Sequence, residues 1–356
     1  MSFGTVQAEK MTTESGYSLG AGNASSFKNR LINGAMTVDQ RNAGASITVN
    51  DQSFSVDRFK FNMQTNGKGT AQQSTDAPTG FKYSLLYTNG SAYTVGSSET
   101  YGILQVIEGY NIADLAWGTA SAQSVTLSFW VKSSVTGTFG GALKGGSTYT
   151  YAFTYTINSA NTWEQKTITV PGPAVGTWGY TNSAGLTLSI GLGNGSSASS
   201  TPNSWLSANT WSATGAVSVL ATAGATFYIT GVQLEVGTVA TSFDFRSFGT
   251  ELALCQRYYF AYAVPATCPQ GFGAMQSTTA ARIIFPNPVP MRATPTFTSL
   301  GSLGIASGGT SFIASASSVL GISSAGVQMD FTVSGATTHQ TCVYRDSGGV
   351  TFSAEL

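Results

Sequence analysis

The stretch Ser124-Val-Thr-Leu-Ser-Phe-Trp-Val-Lys132 decides the fold. Val125, Leu127, Phe129 and Val131 share one face of an extended chain, and Thr126, Ser128, Trp130 and Lys132 share the other. That period of two is a strand with one buried face. Trp130 stands on the outward face, where water is a poor neighbour for an indole. A second layer over that face is therefore implied, and a neighbouring subunit is the preferred source. Outward along the chain the same habit recurs. From Leu31 onward the residues are strand-like. Ser55-Val-Asp-Arg-Phe-Lys-Phe-Asn-Met63 alternates across a short irregularity, with Val56 on the other face from Phe59 and Phe61. Tyr101–Ile107, Tyr149–Ile157, Gln165–Val170, Leu186–Ile190, Ala216–Leu220 and Thr226–Val236 read as further strands. Gly, Pro, Asn and Ser separate them, as in Pro171-Gly-Pro173 and Gly193-Asn-Gly-Ser-Ser197. Short strands at this spacing predict an antiparallel β-sandwich or jelly roll.

Composition agrees with an all-β chain. Charged residues are 9% of the 356, where about 25% is usual. Lys+Arg and Asp+Glu both count 16, so formal net charge is zero. Phosphate backbones need clustered cations, which argues against nucleic acid as a partner. A neutral chain also lacks self-repulsion and favours assembly. Aromatics at 12% argue against general disorder. The start, Met1-Ser-Phe-Gly-Thr, has no basic-then-apolar pattern, and no run of ~18 apolar residues occurs, so neither a secretory signal nor a membrane span is expected.

Three regions are expected. Residues 1–30 are polar and small and read as an extended arm that orders only against a partner. Its few apolar residues, Phe3, Met11, Tyr17 and Leu19, are the candidate attachment contacts. Residues 31–250 form the sandwich and 251–356 a smaller C-terminal β-domain. All six tryptophans lie between Trp117 and Trp211, and all three cysteines lie after Leu254, as two separate cores would produce. The strands of this last region are Ala280–Phe285, Thr296–Leu300, Gly326–Val333 and Gly349–Phe352, with Pro286, Pro288, Pro290 and Pro295 marking turns or edges. The helix candidates are Asn111–Trp117 and a segment from Ser247 to Tyr259, the latter with Thr250 as N-cap. Cys255 and Cys268 could bridge, although buried thiols are the simpler reading.

Several blocks form a known pattern. Asn29-Arg-Leu-Ile-Asn-Gly-Ala-Met36, Asp39-Gln-Arg-Asn-Ala-Gly44, Asp57-Arg-Phe59, Val106-Ile-Glu-Gly-Tyr-Asn111, Thr126–Ser134, Phe227–Gly237 and Glu251-Leu-Ala-Leu-Cys-Gln-Arg-Tyr-Tyr259 keep their order over residues 28–260. The set resembles bacteriophage and prophage tail-fibre-type proteins. The resemblance implies a homotrimeric virion appendage, made in the host cytoplasm, with an N-terminal arm on other virion proteins and a distal tip. A bacterial surface glycan is the implied ligand. A purely structural virion part, such as a head fibre or tail connector, is the alternative, and a polysaccharide depolymerase a third. The middle region is also similar to carbohydrate-binding jelly rolls. There the closing strand often runs aromatic-Tyr-Ile-Asp-Asp-Val, whereas here Thr230-Gly231 replace the acidic pair, which removes the support for a structural calcium.

Catalytic chemistry finds little material. A glycosidase needs two facing carboxylates, and Asp114, Glu164 and Glu235 lie one to each distant segment. The single histidine, His339, has no nucleophile motif around it, and a Cys/His metal site is not expected. Gly193-Asn-Gly-Ser-Ser197 lacks the lysine of a phosphate loop. No enzyme, cofactor or metal is expected. The candidate glycan contacts are Trp178, Tyr180, Trp205 and Trp211, which fall in two loop-like segments; plugging the sandwich end or a subunit interface is the competing use. Trp117 and Trp163 are assigned to the core. Arg30, Arg41 and Arg58 are expected to pair with Asp39, Asp51 and Asp57.

Overall fold

The computed structural model describes residues 11–12, 18–19, 28–145, 148–262, 269–323, 326–346 and 348–356. Phe3, Tyr17 and Cys268 lie outside them. Met11–Thr12 and Ser18–Leu19 pair as a small antiparallel ladder. The chain separates into two compact units, Met1–Arg246 and Ser247–Leu356.

The first unit is an antiparallel sandwich of jelly-roll type. One sheet has seven strands in the order Trp205–Ser207, Tyr149–Ile157, Gly137–Gly145, Ala184–Asn194, Thr100–Glu108, Phe59–Met63 and Phe54–Val56. The other has six: Glu164–Val170, Val125–Ser133, Thr226–Val236, Ser84–Asn89, Gly69–Ser74 and Ile47–Thr48. Val125, Leu127, Phe129 and Val131 are fully buried between the sheets, as their alternation requires. Phe129 meets Tyr155 of the facing sheet edge-on, with ring centroids 5.0 Å apart.

The expected strand from Ser55 to Met63 is instead a hairpin. Val56 pairs with Phe59, and Arg58 turns the chain at φ 70°. Val56 and Phe59 therefore both face inward. Of the expected ion pairs, Arg41 to Asp57 is present at 2.8 Å. Arg30 pairs with Asp114 and the Arg58 guanidinium donates to the Val106 carbonyl at 2.6 Å. Asp39 instead accepts from the backbone of Asn42 and Gly44, and Asp51 from that of Met63.

The Asn29–Met36 block acts as a latch. Asn29 donates to the Val232 carbonyl at 3.0 Å and accepts from the Leu31 and Leu234 amides at 3.0 Å each. Gln105, turned into the core, grips Ile32 by both its amide (2.7 Å) and its carbonyl (2.8 Å). Gly34 passes so close to Val232 that a Cβ would lie 2.1 Å from its carbonyl oxygen.

Part of the layer over the outward face of Val125–Ser133 comes from the chain itself. The segment that follows Val236 folds back, and Thr241 and Asp244 bond to the buried Glu235 and Gln233. Thr126 and Ser128 beneath are buried. Trp130 remains half-buried beside Gly231, where the strand bulges at φ 61°. Trp163 is not a core residue; it stands half-buried at the head of its strand.

In the second unit a helix, Phe248–Gln256, starts one turn earlier than expected, because Ser247 rather than Thr250 is its N-cap and accepts from the Thr250 amide. Cys255 on it is buried. A seven-stranded sheet runs Thr310–Ile313, Leu303–Ser307, Thr341–Asp346, Gly271–Ser277, Ala280–Pro286, Gly326–Thr332 and Ala316–Ile322. One face packs on a three-stranded sheet through Phe285, Phe331, Tyr344 and Phe352.

Candidate functional site

The aromatic residues singled out by sequence fall into two places. Trp178 and Trp205 join Trp117 in a cluster of edge-on contacts, with centroids 4.8, 5.3 and 5.4 Å apart. Tyr180 donates its hydroxyl to the Trp117 carbonyl, and the Trp205 indole donates to the Pro171 carbonyl at 2.7 Å. Trp178 lies flat on the backbone of Gly145, where a Cβ would sit 1.9 Å from its ring. Trp178 is 7% exposed, while Trp205 and Tyr180 are half-buried. Trp117 and Trp178 belong to the sandwich core, and Tyr180 and Trp205 pack against it.

Trp211 stands apart, on the outer side of the seven-stranded sheet. The Lys144 ammonium lies 3.1 Å from its ring centroid and donates to the Asn209 side-chain oxygen at 2.6 Å. Burial pulls the Lys144 pKa down to about 8.

A second aromatic constellation lies on the outer face of the six-stranded sheet. Tyr228 pairs across the ladder with Lys132, and Trp130 with Gln165 and Thr230. All five side chains point outward by strand alternation. Trp163 leans over them, edge-on to Tyr228 at 6.0 Å. The Lys132 ammonium lies 4.3 Å from the Tyr228 ring centroid and 5.3 Å from that of Trp163. Asp76 reaches in from the preceding loop, pairs with Lys132 and accepts from the Trp163 indole at 3.1 Å. Those partners hold the Asp76 carboxyl below its usual range, the Lys132 hydrogen bond most of all, despite some desolvation. Burial raises the Tyr228 hydroxyl pKa, and Asp76 raises it further. The result is a half-exposed aromatic surface with fixed donors and acceptors along it. The sequence does not single out Tyr228, and it leads to a core assignment for Trp163 that the half-buried position corrects. The signal for Tyr228 was present, since it alternates outward between the inward Phe227 and Ile229.

Beyond Trp130 the surface turns apolar. Phe81, Phe243 and Phe245 make a triad at 5.1, 5.2 and 4.8 Å, and Phe245 is 61% exposed.

The three carboxylates with catalytic potential are far apart in role. Asp114 pairs with Arg30. Burial alone would raise Glu164, but hydrogen bonds from Lys166, Ser159 and Asn158 outweigh it and hold its pKa at about 2. Glu235 is fully buried and accepts from Gln233 and Thr241. Among the described residues no group of three His, Cys, Asp or Glu could hold a metal, and no helix is long and apolar enough to cross a membrane.

No protein-family model and no curated protein matches the chain. Solved structures that match include the enzymatically active domain of tailspike protein 4 from bacteriophage CBA120. It has 13% identity over 60% of this chain and a TM-score of 0.33, and this chain spans 22% of its length. A family-4 carbohydrate-binding module matches at 17% identity over 58% of this chain and 98% of its own, with a TM-score of 0.32. A family-61 module in complex with β-1,4-galactotriose matches at 11% identity over 59% and 99%, with a TM-score of 0.30. At such scores none of them bears on what this chain does.

Proposed function

We propose that the chain is a non-enzymatic, glycan-binding subunit of a phage fibre, and that the Trp163–Tyr228 surface is where glycan binds. The observation that carries this is the outward aromatic pair beside the Lys132–Asp76 ion pair. Sugar rings present C–H faces that pack on aromatic rings, and their hydroxyls need donors and acceptors at the rim. Lys132, Asp76 and Gln165 supply those on a flat sheet face. Rigid strands hold the platform, so little ordering entropy is lost on binding. The non-enzymatic reading is supported by Asp114, Glu164 and Glu235, each engaged by its own neighbours.

The fibre assignment is supported by the ordered blocks from Asn29 to Tyr259, the first of which supplies the latch residue Asn29 with a structural duty. Under this reading the subunit is a homotrimer attached to the virion through its N-terminal arm. The Phe81–Phe243–Phe245 patch favours the structural-component reading as the second one, because an exposed apolar cluster suits a protein neighbour better than a sugar. The test is binding of the purified protein to an array of bacterial surface polysaccharides. The account expects a subset of glycans to bind and the W163A/Y228A double variant to lose them by tenfold or more, in line with removing aromatic hot spots worth about 2 kcal/mol. No binding by a folded wild type, or equal binding by the variant, removes the proposal.

A further inference from the structure

The second unit, Ser247–Leu356, has an outer sheet face with an unusual pattern. Antiparallel sheets with one solvated face place polar residues outward. Here Phe272, Ile284 and Val343 point outward in one continuous row, paired Ala306–Val343–Phe272–Ile284 across four strands. Phe272 is 55% exposed. Beside this row lies a cavity of about 340 Å³, between the turn at Gly308–Gly309 and the strand Thr341–Asp346. Thr341, Val343 and Arg345 alternate onto its face, and Ser311 lies opposite through Ala306. The small residues Ala306, Gly308 and Gly309 line it, so little side-chain bulk fills the space. The hydroxyls of Ser311 and Thr341 are exposed.

The lining carries one charge. Arg345 is exposed and its guanidinium has no hydrogen-bond or ion-pair partner among the described residues. No carboxylate lines the cavity. Arg282, the other arginine on this sheet face, is held by Asp330 in a fork, at 2.8 and 2.9 Å. Among the described residues, Arg345 thus has all five of its donors uncommitted. A planar guanidinium fork matches one carboxylate. A nucleic acid or polyphosphate would call for clustered cations, and this cavity offers one.

We propose that the C-terminal unit carries its own site for a carboxylate-bearing sugar, with Arg345 holding the carboxylate, Ser311 and Thr341 the hydroxyls, and Val343 and Phe272 the ring face. It stands independently of the Trp163–Tyr228 platform, because it uses other residues in another unit.

The test uses the full chain and three probes, D-glucuronate, D-glucose and inorganic phosphate, with affinities read by saturation-transfer NMR. Glucuronate should bind at least tenfold more tightly than glucose or phosphate, and weaken as salt is raised. R345Q should lose about 10- to 100-fold of glucuronate affinity. R345K keeps the charge without the fork and should fall between. The W163A/Y228A variant should retain the Arg345-dependent signal, so failure of one site is distinct from failure of the other. Equal affinity for glucuronate and glucose, phosphate binding as tight as glucuronate, or an unaffected R345Q overturns the proposal.

Discussion

Replacing Asn29 by Ala removes three hydrogen bonds from a site that is 1% exposed. The Val232 carbonyl and the Leu31 and Leu234 amides each lose a partner, all formerly at 3.0 Å. Water has little access there. At about 1 kcal/mol net per bond, and more where the stranded group stays dry, the loss is about 3–5 kcal/mol. For a unit of this size each kcal/mol is worth ~2–4 °C, so the midpoint should fall by about 6–20 °C. Tryptophan fluorescence is a suitable probe, because all six tryptophans lie within the first unit. Thermal and urea unfolding followed at this signal therefore isolate that unit from the C-terminal one. Asn66→Ala serves as control. Its oxygen accepts from the Asp51 amide at 2.7 Å in an exposed turn, and its loss should stay within about 0.5 kcal/mol. A shift below about 2 °C for Asn29→Ala would refute the latch, since it corresponds to less than about 1 kcal/mol.

Gly145→Ala should displace Trp178, cost about 1–3 kcal/mol and shift tryptophan emission to the red, since an added Cβ would fall 1.9 Å from the ring. Glu164 has a folded pKa of about 2 against an ordinary 4.5, so its contribution is present above 4.5 and lost as pH falls toward 2. E164Q should accordingly be less stable than wild type at pH 7, with the gap in melting temperature closing between pH 4.5 and 2. Lys144 runs the other way: its folded pKa of about 8 lies below its ordinary 10.5, so burying the charge penalises the fold below pH 8 and the penalty fades as pH rises. Wild type should gain on K144M in melting temperature from pH 8 to 10.

Much of the architecture was legible because alternation is a direct readout of strand geometry. Val125 to Val131 needed no tertiary information. The hairpin at Asp57–Arg58 was not legible, because its positive φ falls on an arginine instead of glycine or asparagine. The helix start was misplaced for a local reason: Ser247 and Thr250 are both capping types, and only the backbone shows which hydroxyl accepts. Trp178, Tyr180 and Trp205 were read as loop aromatics, whereas they pack in or against the sandwich core. Their gathering around Trp117 depends on the bare backbone of Gly145, far away in sequence. Trp163 was misread because its position at a strand head leaves its facing undetermined by alternation. The Lys132–Asp76 pair joins residues 56 apart, which no local pattern encodes.

The central claim is tested most directly by a crystal structure of the chain with an oligosaccharide selected from the polysaccharide array. The account predicts a sugar ring packed on Trp163 and Tyr228, with hydroxyls bonded to Lys132 or Asp76. A sugar bound elsewhere on the first unit, with this surface bare, would contradict it.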